Sequence, residues 1–476
     1  MTTAKELRQI TISPTTRIEG HGKVTILLDE SGNVSDAHFH VTEIRGFEQF
    51  LRGMETDRLP FIISRVCGVC STAHVIASAK AIENGYNVEI TETAKKLREL
   101  LLMGQIITND SLVFFFLILP DFYFKLEEDP SKRNIFEIMR ENPELGKKAL
   151  DLKMFGTQIL QAVGRREIHV VSVIPGGIIR PLKESERAYL VDKGKKALEL
   201  AQTAVLLGKE LFERKWDEFK SIATVKSYYM GLVQNDLLNF YEGNLRIISP
   251  TGEKVAEFHP ENCLDYIEEK RLGWTYAKFA YLKSLGWPEG IVKVGPTPRM
   301  NVIGDILTPL AKMEFREFRI RFGRLAHETL LFDYARLIEL LYACERATEL
   351  LEDREITKTD LRVKVVPKEG IGIGVVEAPR GTLVHRYALD NAGKTKNIKL
   401  IIPTQINNTA INQSVKDAAK EFIKSGEIKP GLLNSVEMVI RAYDPCIKCA
   451  ARNLTNEGFL TVEVRNKEGE IVKKFS

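Results

Sequence analysis

Apolar and polar residues alternate at both ends of the chain, which is the pattern of half-buried β-strands. Residues 22–41 alternate around the turn D-E-S-G-N, and residues 458–476 alternate around a turn at 467–469. Alternation of period two on both sides of turn-forming residues predicts a β-hairpin. We therefore expect one hairpin near each terminus.

Between these hairpins, apolar residues recur at three- and four-residue steps, which predicts amphipathic helices. One such stripe consists of Leu337, Leu340, Cys344, Ala347 and Leu351. The predicted helices are 72–84, 91–119 with an interruption near Asn109, 143–164, 185–219, 306–353, 415–425 and 433–441.

Strand-like sequence returns at 361–387 and 398–402, and in the first of these Gly370, Gly372 and Gly374 alternate with isoleucines. The glycines do not complete the dinucleotide-binding pattern G-x-G-x-x-G, because position 375 is valine, and they do not open a helix. We find no internal repeat and no clean domain boundary. The pattern therefore predicts a helix-rich α+β fold that forms one unit.

The composition is that of a globular protein and shows no nucleic-acid or membrane signature. Of 476 residues, 44% are hydrophobic and 28% are charged, and 68 basic against 64 acidic side chains give a net charge of +4. A broad basic surface for nucleic acid is therefore not expected. The longest apolar run, 112–119, is too short to span a membrane, which needs about 18 residues. The N-terminus lacks the apolar core of a secretory signal, so a cytoplasmic location is the default.

Four of the six cysteines form two C-x-x-C pairs, Cys67 with Cys70 and Cys446 with Cys449. Thiolates at this spacing can bind one ion from a single turn, and sulfur-rich sites select zinc, copper(I), iron-sulfur clusters or thiolate-bound nickel and iron. A structural four-cysteine zinc site is one interpretation. However, the pairs lie near opposite ends of the chain, whereas zinc ribbons close over about 15 to 20 residues. A thioredoxin-like site needs only one pair.

The sequences around the two pairs resemble the two signature motifs of nickel-iron hydrogenase large subunits. R-V-C-G-V-C-S-T-A-H spans 65–74 and D-P-C-I-K-C spans 444–449, in the order of that family. The resemblance continues through I-S-P-T-T-R-I-E-G-H, R-G-F-E, G-R-R-E-I-H, P-G-G, E-A-P-R-G and P-T. It implies the family's single interlocked fold, with a central helix bundle and peripheral β-hairpins. The cytoplasmic, cofactor-reducing branch is the most similar.

The resemblance implies a role for each of the four cysteines. In this family they hold nickel, and two of them bridge to an iron that carries cyanide and carbon monoxide. Cys67 and Cys446 correspond to the terminal nickel ligands, and Cys70 and Cys449 to the bridging ones. The implied reaction is reversible heterolytic cleavage of dihydrogen to protons and electrons. The Cys446 thiolate would take the proton, and Glu19 in R-I-E-G-H would receive it.

The resemblance also assigns residues around the metal pair. Arg380, which follows Pro379 in A-P-R-G, corresponds to an arginine that lies over the metals and holds one cyanide ligand. Thr404 corresponds to the donor to the other cyanide. Asp121 and Asp444 are expected to orient Arg380.

Two further positions are implied at the edge of the site. His74 corresponds to a hydrogen-bond partner of a cysteine sulfur. Glu48 in R-G-F-E corresponds to the carboxylate ligand of a magnesium ion close to the C-terminal segment.

The chain departs from the family at two places. N-D-S-L-V-F-F-F occupies 109–116, where family members often carry H-x-x-x-H, and Arg452 replaces a histidine three residues after the last cysteine of the site. The arginine removes a neutral nitrogen from the expected magnesium site. In the family an endopeptidase cuts just after this position once nickel is bound. We therefore expect a mature domain of residues 1–452 and removal of residues 453–476.

Electron transfer requires partners. Cys263 and Cys344 have no motif around them and are expected to pack in the core, so the chain has no electron path of its own. The resemblance implies a small subunit that carries iron-sulfur clusters, together with further electron-transfer subunits. Two alternatives stay open at this point: a hydrogen-sensing subunit with slow turnover, and a structural four-cysteine zinc protein.

Overall fold

A computed structural model describes residues 9–44, 46–125, 129–429 and 431–451 and, in the tail, the backbone of Val462–Arg465 and Ile471–Phe475. Within these residues the helices are α1 (Phe47–Phe50), α2 (Leu59–Ile63), α3 (Ser71–Tyr86), α4 (Glu92–Leu112), α5 (Leu119–Tyr123), α6 (Ile135–Glu141), α7 (Pro143–Gly164), α8 (Glu184–Phe219), α9 (Cys263–Tyr266), α10 (Pro296–Val302), α11 (Pro309–Phe322), α12 (Leu331–Glu352), α13 (Pro403–Phe422), α14 (Leu432–Ala442) and α15 (Ile447–Ala450).

The strands lie mostly in three sheets. They are β1 (Gln9–Ile12), β2 (Gly22–Leu28), β3 (Val34–Val41), β4 (Val173–Ile174), β5 (Gly177–Ile178), β6 (Tyr228–Gln234), β7 (Leu237–Leu238), β8 (Asn244–Ile248), β9 (Lys254–Phe258), β10 (Ile267–Arg271), β11 (Lys278–Leu282), β12 (Val292–Lys293), β13 (Gly370–Ala378), β14 (Gly381–Leu389), β15 (Thr395–Ile401), β16 (Ile423–Lys424), β17 (Glu427–Ile428), β18 (Val462–Arg465) and β19 (Ile471–Phe475).

Four long helices, α4, α7, α8 and α12, form a central bundle. Helix α4 packs against α7 and α12, and α8 packs against α7 and α12. The predicted apolar stripe of α12 faces this core, since Leu337, Leu340 and Leu351 have no exposed surface. Helices α4 and α7 meet backbone to backbone at Gly104 and Gly156, where an added Cβ atom would press into the facing helix. The bundle predicted from the resemblance is thus present and closely packed.

Helix α4 continues through a π-helical turn, Val113–Ile118, into α5. Together they make the one helix in the described ranges, Glu92–Tyr123, that is long and apolar enough to cross a membrane. Most of its apolar stretch is buried inside the fold, as expected of a core helix. The interruption predicted near Asn109 comes slightly later. It lies at the π-helical turn, just before Pro120, which cannot donate a backbone hydrogen bond.

Two helix boundaries differ from the prediction. The tract 306–353 is two helices, because Gly323 ends α11 with a positive φ of 83°. Helix α13 begins at Pro403 rather than near 415. In its first half Gln405, Asn407 and Asn408 are buried. These polar residues interrupt the three- and four-residue recurrence of apolar residues from which a helix is predicted.

Both predicted hairpins form. Strands β2 and β3 pair in antiparallel fashion, with β1 added beside β2. Strands β18 and β19 of the tail also pair in antiparallel fashion, and their predicted turn at 467–469 lies outside the described residues. A five-stranded sheet of β6, β7, β8, β9 and β12 was not predicted. Its central strand β6 is buried along most of its length, so it shows no alternation.

The alternating glycines of β13 allow helix α3 to lie directly on the strand. A Cβ atom on Gly372 would collide with the carbonyl oxygen of Ala81, and one on Gly374 with that of Ala77. These contacts are backbone to backbone and cannot be relieved by moving a side chain. The glycines therefore provide close packing, and they fix the helix that Cys70 precedes.

Replacement of Gly374 by alanine is expected to destabilise the fold by about 3 kcal/mol, because the methyl group has no space between the strand and α3. Denaturant unfolding of the variant measures this loss. Gly273→Ala is the matched control, since a Cβ atom there meets nothing within 4 Å. Equal unfolding midpoints for the two variants would contradict the packing role.

Candidate metal centre

Both cysteine pairs meet in one buried site. Cys67 Sγ lies 3.3 Å from Cys446 Sγ, and Cys70 Sγ lies 3.3 Å from Cys449 Sγ. All four sulfur atoms lie within 4.8 Å of one another. Soft sulfur donors at this spacing can surround a pair of thiophilic transition metals.

Each pair is carried by a turn that opens a helix. Cys70 stands at the N-terminal cap of α3, and Cys446 at that of α15. The amides of Val69 and Cys70 donate to Cys67 Sγ at 3.2 and 3.5 Å. Backbone donors and helix N-termini stabilise a thiolate relative to a thiol.

The four thiols ionise unequally. The pKa of Cys67 lies well below its usual range, first because its sulfur is hydrogen-bonded to that of Cys446, 3.3 Å away; the positive charge of Arg380 also contributes. Burial raises the pKa of Cys446 and Cys449 well above the usual range. A thiol binds metal as a thiolate, so a bound cation would supply the charge that these buried groups need in order to ionise.

Glu19 lies beside Cys446. The Cys446 thiol donates to Glu19 Oε2 at 3.2 Å. The backbone fixes this arrangement, because Ile447 N donates to the Glu19 carbonyl oxygen at 3.1 Å and the two segments form an isolated parallel bridge. Lys448 adds its amide, 3.2 Å from Glu19 Oε2, and its ammonium, 3.4 Å from Oε1. The two residues predicted to exchange a proton are therefore in contact.

Arg380 is oriented by Asp444. Its Nη2 donates to Asp444 Oδ1 at 2.9 Å, and its Nε donates to the carbonyl oxygen of the same residue. Burial opposes the charge of Arg380, but Asp444 and the sulfur of Cys446 outweigh burial and raise its pKa well above the usual value. Its Nη1 is buried and has no hydrogen-bond partner among the described residues. One charged donor is thus available beside the four sulfurs.

Thr404 and Pro379 complete the wall of the site. The Thr404 hydroxyl oxygen accepts a hydrogen bond from Cys446 N at 3.0 Å, which leaves its own hydrogen to donate elsewhere. The carbonyl oxygen of Pro379 accepts from Arg299 Nη2 at 3.1 Å, and this bond holds the loop that carries Arg380. Both residues are buried.

The sequence pattern described as "Nickel-dependent hydrogenase" matches residues 45–130 and 238–452, and the pattern described as "HoxL-like" matches residues 9–44. The chain belongs to the nickel-dependent hydrogenase family. It is a large subunit of that family and an oxidoreductase that acts on dihydrogen.

Individual hydrogenases are similar over nearly the whole chain. An F420-non-reducing vhu hydrogenase subunit of Methanocaldococcus jannaschii is 43% identical over 87% of this chain and 100% of its own. The NAD-reducing hydrogenase HoxS subunit beta of Cupriavidus necator is 36% identical over 98% of this chain and 99% of its own. The crystal structure of an NAD+-reducing [NiFe]-hydrogenase in the H2-reduced state has a TM-score of 0.90 at 35% identity, and the match covers 94% of this chain and 100% of that one. The predicted family and α+β fold are confirmed.

The residues of this hydrogenase fit the nickel-iron centre that its family implies. Four buried sulfur donors lie close enough to share two metals. The unpartnered Nη1 of Arg380 and the hydroxyl group of Thr404 can serve small anionic ligands on the metals. Nickel and iron both accept thiolate ligands of this kind.

The prediction that Asp121 orients Arg380 is wrong. The Asp121 carboxylate is bound by Arg17, Arg133 and Arg441, the last at 2.8 and 3.0 Å. Burial opposes ionisation of Asp121, but these three cations outweigh it and keep its pKa below the usual value. Both carboxylate oxygens are used, and Arg380 is not among their partners. Through Arg441, Asp121 instead anchors the end of α14, just before the second cysteine motif.

Asn109 is a contact of the site that sequence analysis missed. Its Nδ2 donates to Asp444 Oδ2 at 3.3 Å and to Asp110 Oδ1 at 2.9 Å. It therefore supports the aspartate that orients Arg380. The sequence clue to Asn109 was the departure from the family pattern at 109–116. It showed that the family's histidines are absent, but not which side chain contacts Asp444 in their place.

His74 belongs to a buried chain of hydrogen bonds. Its Nδ1 lies 3.0 Å from His385 Nε2, and His385 Nδ1 lies 2.7 Å from the Tyr387 hydroxyl group. Its amide donates to the carbonyl oxygen of Cys70 at 3.3 Å. His74 thus lies beside the first cysteine motif, while the predicted bond to a cysteine sulfur stays a prediction.

The surroundings of Glu48 do not fit the magnesium ion that was expected there. Glu48 Oε1 accepts from Leu400 N at 2.9 Å, and Oε2 lies 3.2 Å from the ammonium of Lys278. A side-chain cation already faces the carboxylate. The expected second ligand position, Arg452, lies outside the described residues.

Replacement of Cys70 by alanine is expected to abolish most of the nickel and iron content of the purified complex, because one of four sulfur donors is lost. Elemental analysis measures both metals. Cys344→Ala is the matched control, since that cysteine is also buried but lies on α12 outside the sulfur cluster. Full metal content in Cys70→Ala would show that this sulfur is not a ligand.

Proposed function

We propose that this chain binds a nickel-iron pair carrying cyanide and carbon monoxide, and that it passes electrons to an iron-sulfur small subunit. Cys67 and Cys446 would be ligands of nickel alone, and Cys70 and Cys449 would be ligands of both metals. The contact between Cys446 Sγ and Glu19 Oε2, at 3.2 Å, carries the proposal. It joins a metal-ligating sulfur to a group that can take a proton away.

The metal pair, when bound, supplies the Lewis acid on which dihydrogen is split heterolytically. The Cys446 sulfur takes the proton, because it is the sulfur that contacts a carboxylate. Glu19 Oε2 then accepts the proton across one hydrogen bond. The Glu19 side chain is only 12% exposed, and its other oxygen lies 3.4 Å from the ammonium of Lys448, whose side chain is 39% exposed.

Arg380 and Thr404 would hold the diatomic ligands of the iron. Arg380 has one buried Nη1 free to donate, and a charged donor suits a cyanide nitrogen. Thr404 keeps its hydroxyl hydrogen for the second cyanide, since its oxygen already accepts from Cys446 N. Asp444 and Asn109 act on Arg380 as positioning residues.

Electrons leave through partners. The two cysteines outside the cluster, Cys263 and Cys344, are each buried in apolar surroundings, and burial raises the pKa of both. They cannot serve as ligands of a cluster chain, so the electrons need a small subunit that carries iron-sulfur clusters. Further electron-transfer subunits and a cytoplasmic location follow from the similarity to the F420-non-reducing and NAD-reducing enzymes.

A maturation endopeptidase cuts after Arg452 and removes residues 453–476, which leaves residues 1–452 as the mature domain. The residues just before the cut are tied to the fold. Ala451 forms an isolated bridge with Ala277, and Gln405 Nε2 donates to the carbonyl oxygen of Ala450 at 3.5 Å. The segment that carries Cys446 and Cys449 is thereby held in place.

Glu19→Gln is expected to lower dihydrogen oxidation by at least about 100-fold, because an amide cannot accept the proton from Cys446. Gas uptake with an artificial electron acceptor measures the rate. Infrared bands of cyanide and carbon monoxide should be retained, since Glu19 is not a ligand. Glu43→Gln is the matched control: it is a neighbouring carboxylate that accepts from His21 rather than from a cysteine. Full activity in Glu19→Gln would overturn the proton route.

The intact mass of the nickel-loaded, active chain is expected to correspond to residues 1–452. Mass spectrometry of the purified complex checks this prediction. An active, nickel-loaded chain that still ends at Ser476 would rule out the cut.

A further inference from the structure

Two carboxylates and two lysines form a partly buried cluster beside the C-terminal metal-binding segment. The Lys278 ammonium lies 3.2 Å from Glu48 Oε2 and 3.4 Å from Glu269 Oε2. The Lys399 ammonium lies 3.5 Å from the same oxygen of Glu269. The side chains of Lys278 and Glu269 are 10% and 6% exposed. Lys278 is thus a largely buried cation between two carboxylates.

This cluster lies next to the segment that follows the second cysteine pair. Lys278 begins β11, and the residue before it, Ala277, forms a bridge with Ala451. The carbonyl oxygen of Lys278 accepts from Asn408 Nδ2 of α13 at 3.5 Å. The ammonium therefore links Glu48 of α1 to the strand on which the C-terminal segment rests.

The cluster leaves little attraction for a divalent cation. Two lysines balance the charge of the two carboxylates, and Glu48 accepts from Leu400 N and faces the Lys278 ammonium. Magnesium requires oxygen ligands in a near-octahedral shell at about 2.0 to 2.1 Å. An ion bound to Glu48 Oε2 would face the Lys278 ammonium at close range, and two like charges so near each other repel strongly when partly buried. Arg452, three residues after the last cysteine of the site, adds another cation in sequence.

We propose that the Lys278 ammonium replaces the magnesium ion expected beside Glu48, so that an internal cation anchors the C-terminal metal-binding segment. The inference rests on the proposed function only in that this segment carries the ligands Cys446 and Cys449. A lysine is covalently part of the chain. The anchor therefore does not depend on the concentration of free magnesium.

Magnesium content of the wild-type complex tests the proposal directly. The purified holoenzyme is passed through a desalting column in EDTA, and magnesium and nickel are measured in the same sample. We expect nickel without stoichiometric magnesium, and no change in Tm when magnesium chloride is added back. One tightly held magnesium per nickel would overturn the inference.

Variants of Lys278 test the anchoring role. Lys278→Gln is expected to lower the Tm of the complex by at least about 4 °C, because it leaves Glu48 and Glu269 without their shared cation. Lys278→Arg keeps the charge and should recover most of that shift. Lys270→Gln, on the same hairpin, is the matched control and should leave the Tm unchanged. An unchanged Tm in Lys278→Gln would contradict the role.

The proposed function is tested separately in the same wild-type sample. Infrared bands of cyanide and carbon monoxide together with stoichiometric magnesium would overturn the lysine anchor alone. Absence of those bands would overturn the nickel-iron assignment, whatever the magnesium content.

Discussion

Four sulfur atoms share one buried space, and the surrounding structure provides for the negative charge that they would carry as metal-bound thiolates. The amides of Val69 and Cys70 donate to the Cys67 sulfur, and Cys70 and Cys446 each stand at the N-terminus of a helix. Arg380 brings a full positive charge and is itself balanced by Asp444. A buried charge is tolerated only when it is paired, so each added charge requires a further partner behind it.

That requirement explains the chains of buried ion pairs around the site. Arg299 bonds Glu339 and Glu377 through its guanidinium, and it also donates to the carbonyl oxygens of Ala378 and Pro379. Arg299 therefore holds in place the two residues that precede Arg380. The three arginines on Asp121 do the same for the helix that leads to the second cysteine motif.

Much of the site could be predicted because its motifs are short and local. C-x-x-C fixes two sulfurs on one turn, and the bundle helices carry regular apolar stripes. The resemblance to nickel-iron hydrogenases implied that the two cysteine pairs meet and that the helices form a bundle. The partners of long polar side chains could not be foreseen. Asp121 pairs with Arg133 and Arg441 rather than with Arg380, and no periodicity encodes that choice. The five-stranded sheet was missed because its central strand is buried on both faces and so does not alternate apolar and polar residues.

Sequence similarity shows which positions match or depart from the family, but it does not show which side chains contact each other there. The stretch 109–116 visibly lacks the family's histidines, yet only the three-dimensional structure shows that Asn109 reaches Asp444. In the same way, Glu48 is present as the family expects, but the cation beside it comes from Lys278, a residue that no motif marks.

The position of Cys446 and Cys449 in the chain sets an order of events during synthesis. Helices α3 to α13 leave the ribosome before these cysteines do, so the bundle can fold around one cysteine pair while the other is still being made. The short turn that closes the cluster is held by hydrogen bonds to residues that precede it by tens or hundreds of positions, among them the backbone of Glu19 and the hydroxyl group of Thr404. Half of the ligand set therefore arrives last, on a segment whose two cysteines are buried in the finished fold.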